Sequence, residues 1–262
     1  MSLIPSLFDE ASARYNRFKR LFQAQNTLND LVNEILGRHG DKLKVRKGNE
    51  HDLSLIIASA LGKGMKSSQA ITRLCLLGFG EDALVLLRSN INLLINIAYI
   101  VSSESPVECG KDFLDFSYEE RVKYLKTAHN VQEVPWKPKA SPDEIARRAK
   151  SWREPGIAGR AKAIPPFHYG HGYRLYSSLE HSDAFALNDY IGHWNEVGPF
   201  IESGPTDKYV DLALVHSFGV IADLLIVVCK YFEIDRPDIF KRLQNIWAEL
   251  GSWDQPSSSS II

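Results

Sequence analysis

Cysteine is scarce in this chain of 262 residues. The three cysteines, Cys75, Cys109 and Cys229, lie far apart, and the sequence contains no CxxC pair. A zinc ribbon and a thioredoxin-type redox motif are therefore excluded, and a disulfide framework is not expected. The simplest compartment for such a chain is the reducing cytoplasm.

An excess of charge of either sign is also missing. Lys and Arg total 31 against 32 Asp and Glu, for a net charge of -1, which argues against a histone-like nucleic-acid binder. Asp9 and Glu10 precede any long apolar stretch, so no secretory signal is predicted. The most apolar run, residues 212–228, contains His216 and Asp223, and we expect it to be a buried core helix rather than a membrane span.

The signature motifs of several enzyme classes are absent. The sequence has no GxxxxGK[ST], GxGxxG, HExxH or GxSxG, and no kinase signature. The stretch 62–67 superficially resembles a phosphate loop, but its glycine spacing is wrong, and Gly62 and Gly64 instead favour a helix break. His168 and His171 lack further ligands at the usual spacing. We therefore predict neither a metal site nor a cofactor.

Helical periodicity and helix-start signals dominate what is present. Apolar residues recur at three- and four-residue steps along most of the chain, and Ser105 and Ser141 each begin a capping box with proline at the first helical position. The sequence predicts an all-α fold, a bundle of long antiparallel helices, in one domain over 1–250 with a low-complexity tail at 251–262. Helices are predicted at about 7–36, 53–77, 81–101, 106–129, 173–185, 207–231 and 237–250, with a short helix after Ser141. Residues 131–140, 155–166 and 192–205 are predicted to be loops.

The helix at 81–101 is apolar almost all round, which predicts that Ile91, Leu94, Ile95 and Ala98 are buried. Arg88, Asn92 and Asn96 lie four residues apart on one side of it. A buried arginine needs a partner or a wet cavity. Two interpretations stay open: the stripe lines a site, or it is a structural network that ties helices together. His216 and Asp223 form a similar stripe, either facing the first or as a core pair.

The segment 173–182 carries the residues with the clearest chemistry. Arg174, Ser178 and His181 project from the same face if the segment is one helix, because seven residues make about two turns. A histidine can move a proton to or from a ribose hydroxyl near neutral pH. An arginine can hold the phosphate and stabilise charge in the transition state. That scheme requires no metal.

The spacing Arg174-x6-His181 resembles the Arg-x4-6-His motif of the HEPN superfamily (higher eukaryotes and prokaryotes nucleotide-binding domains). The resemblance implies a helical bundle, commonly dimeric, and a metal-independent ribonuclease of a toxin or antiphage system. It carries over only Arg174 and His181.

A second resemblance spans about residues 67–231. Arg88 and Ser89 in a buried helix, followed by Tyr176, Ser178 and His181, are similar to an uncharacterised bacterial helical family, domain of unknown function fifty-six seventy-seven. That family tends to carry Glu four residues after the arginine, where this chain has Asn92. The resemblance implies the fold and the importance of these polar positions, and it implies no activity.

A basic segment at 137–162 holds eight Lys or Arg against three acidic residues. It is predicted either to guide RNA, with tryptophan rings as stacking platforms, or to be a solvated surface. Its candidate RNA-binding residues are Arg147, Arg148, Lys150, Trp152, Arg153, Arg160 and Lys162.

The function predicted from these patterns is a HEPN-like metal-independent endoribonuclease or an RNA-binding effector of a bacterial stress or antiphage system. Arg174 contacts phosphate, His181 is the general acid/base, Ser178 orients them, and Arg88, Asn92, Asn96 and Tyr176 support the site. The alternative is a non-catalytic helical scaffold or sensor that binds a small ligand or a protein. A homodimer or a genomically linked partner protein is expected. An exposed groove shared by Arg174 and His181 would favour the enzyme, and a buried, fully bonded His181 would favour the scaffold.

Overall fold

The computed structural model describes residues 7–127, 140–180 and 204–251. These residues form helices, turns and loops and contain no strand, which confirms the predicted all-α fold. The helices are α1 Leu7–Arg17, α2 Lys19–His39, α3 His51–Leu77, α4 Gly80–Ser102, α5 Pro106–Thr127, α6 Pro142–Arg153, α7 Gly156–Arg160, α8 Arg174–Glu180, α9 Val210–Tyr231 and α10 Pro237–Gly251. Short 3-10 turns cover Gly48–Glu50 and Ala161–Ala163, and a π-helical segment covers His168–Tyr173.

The core lies where α3, α4 and α9 pack against one another, with α2 against α9. The predicted buried residues of α4 are confirmed: Ile91, Leu94 and Ile95 have no exposed surface and Ala98 has 2%. Only Gly78 and Phe79 separate α3 from α4, so the chain reverses and the two helices run antiparallel. Gly78 takes the left-handed conformation, φ 88°, that this helix end requires.

Two of the core helices, α4 and α9, are long and apolar enough to cross a membrane by length and composition alone. Of the most apolar window in each, 50% and 78% of the residues are buried inside the protein. Core helices of globular proteins share that length and composition.

The predicted break at Gly62 and Gly64 is wrong, because α3 continues through both residues. A Cβ built on Gly64 would lie 2.7 Å from Leu224 Cδ2 and 3.2 Å from Ile221 Cδ1. Gly64 therefore marks the close approach of α3 to α9 and not a helix end. A Cβ on Gly62 would meet nothing within 4 Å.

Three other predicted boundaries are also corrected. The first helix is divided at Phe18, although Phe18 N still donates to Arg14 O at 3.0 Å. The predicted loop at 155–166 contains α7 and a 3-10 turn. The helix predicted to follow Thr206 directly begins at Val210, because Tyr209 has a left-handed backbone conformation, φ 59°, that is not part of an α-helix.

Candidate functional site

The polar stripe of α4 faces the segment 156–180. All three of its side chains, Arg88, Asn92 and Asn96, are half-buried, and α4 packs against α7, the 3-10 turn, the π-helical segment and α8. The residues that meet here, which we call the arginine cluster, are Arg88, Asn92, Asn96, Arg160, Tyr173 and Ser177.

Arg88 is fixed by two side chains of the opposing segment. Its Nε donates to Ser177 Oγ at 2.8 Å and one terminal nitrogen donates to Tyr173 Oη at 3.2 Å. The guanidinium carbon lies 4.8 Å from the centre of the Tyr173 ring, a cation–π contact. Ser177 Oγ in turn donates to the Tyr173 carbonyl at 2.8 Å. The head of Arg88 is therefore held in one position.

Arg160 occupies the other end of the cluster. Its Nε donates to Asn96 Oδ1 at 3.1 Å, one terminal nitrogen donates to the Trp152 carbonyl at 2.8 Å, and the guanidinium carbon lies 4.7 Å from the centre of the Trp152 ring. Among the described residues, no carboxylate lies within ion-pair distance of Arg160. Burial lowers the pKa of the guanidinium below its ordinary value, an effect that nearby Tyr99 and Tyr173 partly offset.

The π-helical segment places Tyr173 against α4. A wider helical turn displaces the following residues from ordinary helical register, and such turns are frequent at functional sites. Gly172 allows the close approach, since a Cβ there would lie 2.9 Å from Ile91 Cδ1. Tyr176, one turn after Gly172, is fully buried, and its hydroxyl bonds to His216 Nδ1. Tyr176 thus anchors α8 to α9.

The structure describes only some of the predicted catalytic residues. Arg174 is exposed at the first position of α8, three residues before Ser177. Ser178 lies in α8, and its side chain is not among those that the structure describes. His181 lies outside the described residues, as does the rest of the predicted helix up to residue 185. The predicted Arg174–His181 pair therefore stays a prediction.

Most of the basic segment is occupied with other contacts. Trp152 is 2% exposed and packs against Arg160, Tyr99 and Phe113, so its ring offers no free face to a base. The other candidate residues fall into two groups. Arg148 and Arg153 are paired with carboxylates of α5 or α6, whereas Arg147, Lys150 and Lys162 are exposed. Of the seven predicted residues, Arg160 alone is seen in the arginine cluster.

A second polar site lies between the π-helical segment, α9 and α10. His168, 3% exposed, meets Asp223 with Nε2 2.8 Å from Oδ2. Its Nδ1 is buried and has no hydrogen-bond partner in the structure. The Phe167 ring lies edge-on to both His168 and His216. His216 and Asp223, predicted as one stripe, thus bond to different residues of the segment 168–176.

No group of three or more His, Cys, Asp or Glu is placed to hold a metal ion within the described ranges. Three polar partners were missed by sequence reasoning: Tyr173 and Ser177 for Arg88, and His168 for Asp223. The only available signal was that the predicted stripe on α4 needed polar partners, and it could not say which residues supply them.

These features define an all-helical protein in which two arginines, Arg88 of the central helix α4 and Arg160 of α7, are held between α4 and the segment 156–180. The chain belongs to the Family of unknown function (DUF5677), whose sequence model matches residues 54–197. The match begins and ends earlier than the predicted 67–231, and it includes the whole arginine cluster together with Arg174, Ser178 and His181. Asp223 and α10 lie beyond it. No curated protein and no solved structure matches the chain.

Proposed function

We propose that this protein is an RNA-directed effector that binds the phosphate backbone of RNA at the arginine cluster. The observation that carries the proposal is the position of Arg160, a half-buried cation whose contacts in the described structure are an amide oxygen, a carbonyl and an aromatic ring. A charge that has lost hydration and has only neutral partners is well suited to bind an anion.

The geometry around Arg160 favours a phosphate group. A guanidinium has five N–H donors, and its hydrogen bonds to Asn96 and to the Trp152 carbonyl use one on each of two nitrogens. The remaining donors suit bidentate contact with phosphate oxygens. Arg88 lies about two helical turns, or about 12 Å along the axis of α4, before Asn96, the residue that Arg160 contacts. An extended chain of phosphates can contact both arginines, which a single small anion cannot do.

The enzymatic reaction that we propose is RNA cleavage by a HEPN-like, metal-independent endoribonuclease in a bacterial stress or antiphage system. The ribose 2′-oxygen attacks the phosphorus while His181 accepts the hydroxyl proton, and Arg174 stabilises the negative charge on the phosphate. The bond from phosphorus to the 5′-oxygen breaks, and that oxygen takes up one proton. The products are a cyclic phosphate and a 5′-hydroxyl, with no net gain or loss of protons.

The test is incubation of the purified protein with total RNA in the presence of EDTA. We expect cleavage by the wild type, and a loss of about 10²- to 10⁴-fold in His181→Ala, because proton transfer typically contributes that factor. Arg174→Ala should lower the rate of the chemical step as well as binding. Lys19→Ala, an exposed cation on α2, is the control and should cleave normally.

If the protein binds RNA but cleaves it under no condition tested, the endoribonuclease proposal is contradicted, and the proposal of an RNA-binding effector stands. An absence of both would contradict the proposed function. A loss of folding in His181→Ala, seen by circular dichroism, would show that His181 is a structural residue and would also contradict its catalytic role.

The second candidate is a non-catalytic scaffold or sensor, and the site around His168 and Asp223 favours the sensor. That site adjoins a cavity, which gives a small ligand a place to bind. A homodimer or a genomically linked partner is compatible with either candidate, and the molar mass measured by light scattering decides the oligomeric state.

A further inference from the structure

A cavity of about 430 Å³ lies between the start of the π-helical segment, α9 and α10. Its volume falls within the range of small-molecule sites in proteins, roughly 300–1,000 Å³. The cavity is distinct from the arginine cluster, since none of the cluster residues lines it.

The walls of the cavity are mostly apolar, with aromatic rings on two sides. Phe167 comes from the π-helical side and Trp247 from α10, and their rings meet edge to face with centres 6.4 Å apart. Gly219 of α9 makes room for the indole, because a Cβ there would lie 2.7 Å from the Trp247 ring. This arrangement suits a flat, apolar ring on the ligand.

The cavity has few polar side chains, and the only carboxylate among the described lining residues is Asp223. Asp223 is one-third exposed, and its Oδ2 is taken by His168. Among the residues that the structure describes, the lining holds Gln244 but no lysine or arginine. A carboxylate without a neighbouring cationic side chain other than an imidazole favours a ligand that donates N–H groups.

We propose that this cavity is a binding site for a small aromatic amine, with its ring packed against the pair Phe167 and Trp247 and its ammonium group at Asp223. The site goes beyond RNA binding and does not depend on it. The segment 167–173 connects the cavity with the arginine cluster. Its first residues, Phe167 and His168, line the cavity, and its last residue, Tyr173, bonds to Arg88.

The test uses tryptamine as the probe and ligand-observed saturation-transfer NMR on the full chain. Indole-3-acetate carries a similar ring with a carboxylate in place of the ammonium group, so it isolates the contribution of charge. We expect tryptamine to bind at least ten-fold more tightly than indole-3-acetate. Asp223→Asn should weaken tryptamine at least ten-fold and abolish this preference, because the amide still accepts from His168 Nε2 but carries no charge.

The matched control is Asp235→Asn, which removes an exposed carboxylate outside the cavity and should change neither affinity. Circular dichroism establishes that both variants are folded. No binding of tryptamine, equal binding of the two probes, or tryptamine binding that survives Asp223→Asn would each overturn the proposal. The RNA assays are separate, so their failure leaves this result unaffected.

Discussion

The Nε of Arg160 donates to Oδ1 of Asn96 at 3.1 Å, and this bond ties the segment after α6 to the last third of α4. At the other end of the same stripe, Arg88 holds Ser177 and Tyr173 of the π-containing helix. The hydrogen bonds of the two arginines therefore fix the segment 156–177 against α4. The same contacts that fix the helices also hold two positive charges at a partly open surface.

The first prediction concerns the contribution of the α4 core residue Leu94 to stability. Leu94 is fully buried in the core formed with α3 and α9, so Leu94→Ala leaves a cavity and should lower the free energy of unfolding by about 2–5 kcal/mol. Urea denaturation followed by circular dichroism measures the change. A loss below about 1 kcal/mol would mean that Leu94 is not in a close-packed core.

Two glycines of α3 provide a matched pair. Gly62→Ala should raise the free energy of unfolding by about 0.5–1 kcal/mol, because alanine is the better helix former and its methyl group meets nothing within 4 Å. Gly64→Ala should lose that gain or destabilise the protein, since its methyl group meets Leu224 at 2.7 Å. Equal effects of the two changes in urea denaturation would contradict the close approach of α3 and α9.

These glycines illustrate what a single sequence can predict. The capping box at Ser141 was predicted correctly because it is local: its side chain accepts from the backbone N–H of Glu144, three residues away. The role of Gly64 could not be predicted, because it depends on Ile221 and Leu224, more than 150 residues further along the chain. Local rules identified this helix start, but they misplaced the break at Gly62 and Gly64 and say little about which helices touch.

The candidate site shows the same division. Helical periodicity placed Arg88, Asn92 and Asn96 on one side of α4, and the structure has all three half-buried there. The partners of Arg88 and Asn96 come from three elements: Tyr173 from the π-helical segment, Ser177 from α8 and Arg160 from α7. The π-helical segment has no clear sequence signal. The pair His168–Asp223 is separated by 55 residues, so no motif could reveal it.

Cysteine reactivity tests the described burial. Burial raises the pKa of Cys75 to about 12, and those of Cys109 and Cys229 to about 11. The reactive thiolate is therefore almost absent at neutral pH. We expect all three thiols to react slowly with Ellman's reagent at pH 7.5 in the folded protein, the half-buried Cys109 first, and rapidly in denaturant. Fast reaction of Cys75 in the folded protein would contradict its place in the core.

The carboxyl of Asp115 gives a pH-dependent prediction. It is 4% exposed, and burial raises its pKa despite Arg148, whose nearest nitrogen is 3.9 Å away. A raised pKa means that the folded state binds the proton more tightly than the unfolded state, so this group's contribution to stability falls as pH rises through the window above the ordinary value of 3.8.

Asp115→Asn removes that ionisation and should raise the melting temperature at neutral pH. Arg148 keeps Glu144 at 2.7 Å, so it is not left without an acidic partner. The difference from wild type should shrink as pH falls towards 4, which calorimetry at a series of pH values measures. A variant less stable than wild type at pH 7 would show that the Asp115–Arg148 attraction outweighs the cost of burial.

The most direct test of the arginine cluster is the affinity for a fluorescein-labelled single-stranded RNA, measured by anisotropy at several salt concentrations. Wild type should bind with a strong salt dependence, and Lys19→Gln should match it. Arg160→Gln keeps a donor for Asn96 but loses the charge, so it should weaken binding at least ten-fold and reduce the slope of log affinity against log salt by about 0.7, the value for one phosphate contact on a single strand. An affinity and slope unchanged in a folded Arg160→Gln, or no binding by wild type at low salt, would contradict the account.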